Sequence, residues 1–293
     1  MKSLIVNADD FGWTDGVNRG IVEAHRHGLV TSTSLLANGP AFASALHSAS
    51  ENPELGVGVH LNLSDGPPTA NPDTVRTLLN ASNQFAFTPQ ALLLRILRRK
   101  LDVQEVAREW DAQIQHVLDS GVAPTHLDGH KHVHMLPGLF PIAVQLARKH
   151  AIRAIRISHE SSNLRALLSG VASQTTGLVR KQALQARGLK FLARDAREIA
   201  EHAGLITTDY FCGIAQTGAL TREGLENLLN HLPDGTSELM CHPGYSDDHL
   251  QRSPTRLQQS RQAELRILTD ERIRKLVATQ GIRLISYRMG EIA

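Results

Sequence analysis

The sequence predicts one α/β domain of (β/α) barrel-like form, regular or irregular, with two inserted excursions. Three observations predict it. Short apolar, β-branched runs bounded by turn residues recur along the 293 residues and read as buried strands. Helical stretches lie between them. The connections are long enough for right-handed crossovers, which points to a mainly parallel sheet. An open doubly wound sheet is the alternative architecture.

The strand runs are Leu4 to Val6, Val30 to Leu36, Val57 to Leu63, Ile155 to Ile157, Leu205 to Thr208, Leu239 to Cys241 and Ile282 to Ile285. The helical stretches are Gly16 to His27 ended by Gly28, Asp102 to Ser120 ended by Gly121, Leu136 to His150, Thr221 to His231 and Ser253 to Thr279. No fixed-period repeat or low-complexity tract appears. Two segments, Ser64 to Lys100 and Ser158 to Gly204, exceed what a connection requires and read as insertions, since long excursions in a compact domain are usually lids or binding loops. Both carry basic, partly apolar stretches. Leu92 to Leu101 sets Arg95, Arg98 and Arg99 on one helical face, and Val179 to Arg197 is rich in Arg and Lys. Each reads as a solvated helix face or as a contact with an anionic membrane surface.

Composition is that of a globular domain: 41% hydrophobic and 20% charged residues. Thirty-one Lys plus Arg against 29 Asp plus Glu leave a net charge of +2, too small to imply nucleic-acid binding by phosphate neutralisation. Cys212 and Cys241 lack metal-ligand spacing, so neither a disulfide framework nor a zinc ribbon is predicted. The apolar run after Met1-Lys2-Ser3 is too short for a signal peptide, and no stretch reaches the roughly 18 apolar residues a span needs. A cytoplasmic protein is the expectation. Fifteen histidines are the one unusual total.

Asn7-Ala8-Asp9-Asp10-Phe11-Gly12 places adjacent carboxylates at the C-terminal end of the first strand, where α/β enzymes put their chemistry. Two neighbouring carboxylates raise one another's pKa unless a cation or distinct environments divide their roles. One natural division puts one on a metal and leaves the other as a base; a turn with a helix N-cap would also explain the pair. His60 lies in Gly56 to Leu63, where a lone histidine is more often a satisfied core residue. Thr125 to Pro137 then holds four histidines, His126, His130, His132 and His134, within nine residues. Burying several imidazoles without partners is costly, so gathering them near carboxylates points to a metal or to proton transfer. A catalytic metal typically takes three protein ligands and keeps an open position, and Asp10, His60 and His130 make such a set. One Asp with two His also suits non-haem iron, so the residues alone leave metal and reaction open. His242, at the end of Glu238 to Tyr245, reads either as a proton donor to a leaving amine or as a strand-end polar residue.

Taken together, Asn7 to Gly12, Val30 to Thr33, Gly58 to Leu63, Thr125 to Pro137 and Cys241 to Gly244 resemble the YdjC-like carbohydrate deacetylases, in that family's order and across nearly the whole chain. The run Ile5 to Pro68 is most similar to the branch associated with hopanoid biosynthesis. The resemblance implies a barrel-like fold, metal ligands at Asp10, His60 and His130, a base at Asp9 and, by a more distant parallel, a general acid at His242. It implies one divalent cation, magnesium or zinc, that polarises an acetamide carbonyl while Asp9 deprotonates water and His242 protonates the departing nitrogen. The implied substrate is an N-acetylated sugar, in that branch an N-acetylglucosaminyl hopanoid, with peripheral membrane contact. Soluble chito-oligosaccharide deacetylation, a non-catalytic sugar-binding protein and an iron-dependent oxygenase are the alternatives. His126, His132 and His134 match motif positions without an assigned role, and Asp209, Tyr210 and Tyr245 lie near strand ends.

Overall fold

A computed structural model of the chain describes residues 1–161, 163 and 195–288. Eight parallel strands build one curled sheet: β1 (Lys2–Phe11), β2 (Ser32–Leu35), β3 (Gly56–Leu61), β4 (His126–Gly129), β5 (Ala154–Ile155), β6 (Tyr210–Cys212), β7 (Gly235–Cys241) and β8 (Arg283–Leu284). Their order is β5-β4-β3-β2-β1-β7-β6, with β8 on β1. Single parallel bridges, Ala154 to Ile206 and Glu160 to Phe211, link the two ends of that order. The fold is therefore an irregular barrel, as the alternation of elements predicts. β1 lies at its centre, and residues Ile5 to Phe11 are all buried.

Helix α1 (Asp15–His27) starts where Thr14 Oγ1 accepts from the Val17 amide, and it carries Asp15 in its first turn and three basic residues in its last. Both ends complement the helix dipole. Helices α2 (Phe42–Ser50), α3 (Pro89–Leu97), α4 (Val103–Asp119) and α5 (Phe140–Lys149) follow. Helix α4 is capped by Asp102 and buries Val106, Trp110, Ile114 and Val117, an i, i+4, i+8 and i+11 stripe.

Several expectations shift. The run Leu205 to Thr208 makes only the Ile206 bridge, and the strand lies after it at Tyr210–Cys212. The long helix over Ser253 to Thr279 is two shorter ones, Gln259–Leu268 and Glu271–Thr279, the second begun by Asp270 capping the Arg272 amide, with a separate short helix, Asp248–Arg252, before them. β4 was not predicted, because its four buried residues are mostly polar. Arg95, Arg98 and Arg99 do not share a face: α3 stops at Leu97, Arg99 adopts a left-handed φ of 53°, and Arg95 turns inward to the Thr77 and Lys100 carbonyls. The Ser64 to Lys100 excursion folds as short turns and α3. Most of Val179 to Arg197, up to residue 194, lies outside the described residues.

Candidate active site

In a regular strand Asp9 and Asp10 would point to opposite faces. The register between β1 and β2 slips between Ala8 and Phe11, and Asp10 takes a left-handed φ of 73°. This bulge brings both carboxylates to one rim, where each is 3% exposed. His60 on β3 and His130, just beyond β4, converge on Asp10. His60 Nε2 lies 3.6 Å and His130 Nδ1 2.9 Å from Asp10 Oδ1. His242 follows β7 and lines the same cleft of about 550 Å³. All five predicted site residues thus meet at the C-terminal ends of the strands.

Each of these residues is held by distinct partners. A carboxylate can only accept, so the 2.7 Å contact of His60 Nδ1 with Asp128 places a hydrogen on Nδ1 and turns Nε2 toward Asp10. Asp128 is itself held by Ser34 Oγ at 2.7 Å and Arg156 at 2.6 Å. On the far side of His130, Nε2 is 3.2 Å from Asp65, which also pairs with Lys131. Asp10 Oδ2 takes Arg261 Nη2 at 2.5 Å, whereas the buried Asp10 Oδ1 accepts no hydrogen bond of good geometry. An orphaned carboxylate oxygen facing two imidazoles suits a divalent cation, and one donor atom each from Asp10, His60 and His130 lies within 4.8 Å of the others. Burial opposes a charge on His60, yet Asp128, Asp10 and Asp9 lift it to about 10. The centre attracts positive charge.

Asp9 is built differently. Arg156 Nη1 and Nη2 donate to its two oxygens at 2.9 and 2.8 Å, and Asn7 Nδ2 fills Oδ1 at 2.9 Å. Burial alone would raise the Asp9 carboxyl, but the guanidinium overcomes this and holds it below its ordinary value. Arg156 is fully buried and also reaches Glu238 at 2.8 Å. His242 is 8% exposed. Its amide donates to Glu264 at 2.6 Å, its Nδ1 has no hydrogen-bond partner, and burial depresses it to about 4.

Of the remaining histidines, only His132 reaches the cleft, with Nδ1 2.8 Å from Ser158 Oγ. His126 packs in the core, stacked on Tyr287 at 4.1 Å, over Gly58, where a Cβ would lie 2.4 Å from its ring. His134 Nε2 donates to the Arg156 carbonyl at 3.0 Å. The 3₁₀ segment His130–Met135, with Lys131 and His132 in left-handed conformations, divides the cluster between cleft and core. Asp209 accepts the Thr236 amide and Tyr245 pairs with Glu23; neither lines the cleft, nor does Tyr210. Sequence reasoning missed Asp65, Asp128, Arg156, Arg261 and Glu264. Asp128 alone left a trace, inside the histidine cluster.

Residues 3–279 match the family model described as YdjC-like protein. A carbohydrate deacetylase of Geobacillus stearothermophilus is 35% identical over 288 residues, covering 98% of this chain and 97% of that one. A chitooligosaccharide deacetylase of an Enterobacter species is 33% identical over 288 residues, 98% of either chain. Among solved structures, an Enterococcus faecalis protein assigned to cellobiose-phosphate cleavage superposes with a TM-score of 0.79 at 30% identity, covering 98% of this chain and 97% of that one.

Proposed function

This chain belongs to the family of YdjC-like proteins, and from that premise we propose that it hydrolyses the acetamide of an N-acetylated amino sugar, with Asp9, Asp10, His60, His130 and His242 at the reacting centre. The observation that carries this reading is the pairing, in one cleft, of a cation-suited Asp–His–His set with a separately clamped carboxylate and a histidine having a free ring nitrogen.

Asp10, His60 and His130 would hold one divalent cation, magnesium or zinc. When bound, it supplies Lewis acidity at the acetamide oxygen and positive charge beside the developing oxyanion. Asp9 acts as the base toward water. Its Oδ1 is filled by Asn7 and Arg156, whereas Oδ2 accepts only one hydrogen bond and keeps a lone pair for the proton. Arg156 keeps Asp9 ionised and fixed in orientation. His242 delivers a proton to the departing nitrogen, so that amide and water become acetate and free amine. Being neutral at rest, it must be loaded with that proton within the catalytic cycle.

The finer reading is that the sugar is lipid-linked, an N-acetylglucosaminyl hopanoid. It is supported by the resemblance over Ile5 to Pro68 and by the apolar wall that Leu93, Leu136, Ile214, Met240 and Leu257 give the cleft. Soluble chito-oligosaccharides are the second reading, favoured by the Enterobacter relative. Acetate release from N-acetylglucosaminyl hopanoid and from diacetylchitobiose, run in parallel with metal content known, separates them. Release from the lipid alone supports the first and from the disaccharide alone the second. Release from neither, with the cation added back, overturns both.

A further inference from the structure

Helix α3 forms one wall of the cleft through Pro89, Gln90 and Leu93. The same stripe continues along the helix, with Leu94 and Leu97 four residues on from Gln90 and Leu93. Among the described residues the exposed large hydrophobic side chains are Met1, Leu94, Leu97 and Val103, so three of the four fall within ten residues. Leu94 is 45%, Leu97 68% and Val103 40% exposed. Arg98, Arg99 and Lys100 lie between them, all exposed, and among the described residues none of the three forms an ion pair. The nearest acid, Asp102, is occupied in capping α4. The segment is also braced: Arg95 ties α3 to the Thr77 and Lys100 carbonyls and lies 4.4 Å from the Phe87 ring centroid.

We propose that Leu94, Leu97 and Val103, with Arg98, Arg99 and Lys100, dock the protein on an anionic lipid bilayer, with the α3 wall of the cleft beside the membrane. Exposed leucines flanked by unpaired cations match the boundary between acyl chains and anionic headgroups. A soluble polyanion would leave the leucines without a partner. A second copy joined by a two-fold axis would press the same three cations against their equivalents. This docking deepens the lipid-linked reading above, but vesicle binding is measured without turnover, so the two fail separately.

The test is co-sedimentation of the full chain with phosphatidylcholine vesicles, with and without phosphatidylglycerol. Binding is expected only with the anionic lipid, weakened by salt and falling about five-fold for each cation removed in Arg98→Gln and Arg99→Gln. Leu94→Gln with Leu97→Gln should also release the protein, while acetate release from a soluble substrate stays unchanged. Equal binding to both vesicle types, binding to neither, or binding indifferent to both pairs of substitutions overturns the proposal. So does a dimer at working concentration that the Leu94 and Leu97 changes dissociate.

Discussion

Arg156 grips Asp9 with two parallel hydrogen bonds, 2.9 and 2.8 Å long, between residues 147 positions apart. The same guanidinium reaches Asp128, which orients His60, and Glu238. One cation thus sets the charge state of the proposed base and, through Asp128, the direction of a metal-ligand candidate. Arg156→Gln leaves buried carboxylates without their counter-charge, and breaking a buried pair in this way costs about 3–5 kcal/mol. Thermal or urea unfolding should register that loss. Arg156→Lys should recover little of it, because an ammonium cannot form the fork. Stability near the parent value in both variants would contradict the role.

Asp128→Asn tests the orientation of His60. The amide keeps the shape but removes the acceptor charge opposite Nδ1. Affinity for the cation should fall about ten- to a hundred-fold, as measured by calorimetric titration with magnesium and with zinc.

Acid should unfold this protein steeply. Burial holds His126, His134 and His242 down to about 4 and His132 to about 3, against an ordinary 6.5. Between those values the unfolded chain binds protons that the folded chain refuses. Stability is therefore full above 6.5 and declines as pH falls toward 4, by up to about 1.4 kcal/mol per pH unit for each histidine. His60, raised to about 10, has the opposite sign: its contribution is present below 6.5 and is lost as pH rises through 10. The melting temperature should drop sharply between pH 6.5 and 4, with proton uptake on unfolding; a flat profile there would contradict the assignment.

Gly20 on α1 meets the turn that carries His242. A Cβ at Gly20 would lie 2.4 Å from Gly244 Cα, so Gly20→Ala must move the helix or the turn. Overpacking of this kind costs about 1–3 kcal/mol, and a displacement of about 1 Å at a catalytic group can cost a hundred-fold in rate. Acetate release should fall well beyond what the folded fraction explains, with metal content unchanged.

Much of this was legible in the sequence. Asp9 and Asp10 stand at the end of an apolar strand run, and His130 stands in a histidine cluster dense enough to point to a metal or to proton transfer. Which of the four histidines face the cleft was not legible, because that depends on the left-handed Lys131 and His132 rather than on any periodicity. Arg156 and Arg261 were invisible for a different reason: their partners Asp9 and Asp10 lie 147 and 251 residues away, and nothing local marks either arginine. β4 escaped because its burial is supported by hydrogen bonds and ion pairs rather than by apolar side chains. The helix over Ser253 to Thr279 was drawn too long, although Asp270 carried a capping signal.

Turnover by Asp9→Asn is the most direct measurement. The amide keeps the size of Asp9 and one acceptor oxygen for Arg156 but cannot take a proton from water, and Asp10, His60 and His130 are unchanged in sequence. Cation content should match the parent protein while acetate release from N-acetylated sugar is lost by about a hundred-fold or more. Near-normal acetate release from Asp9→Asn, with the cation bound, would contradict the account at its centre.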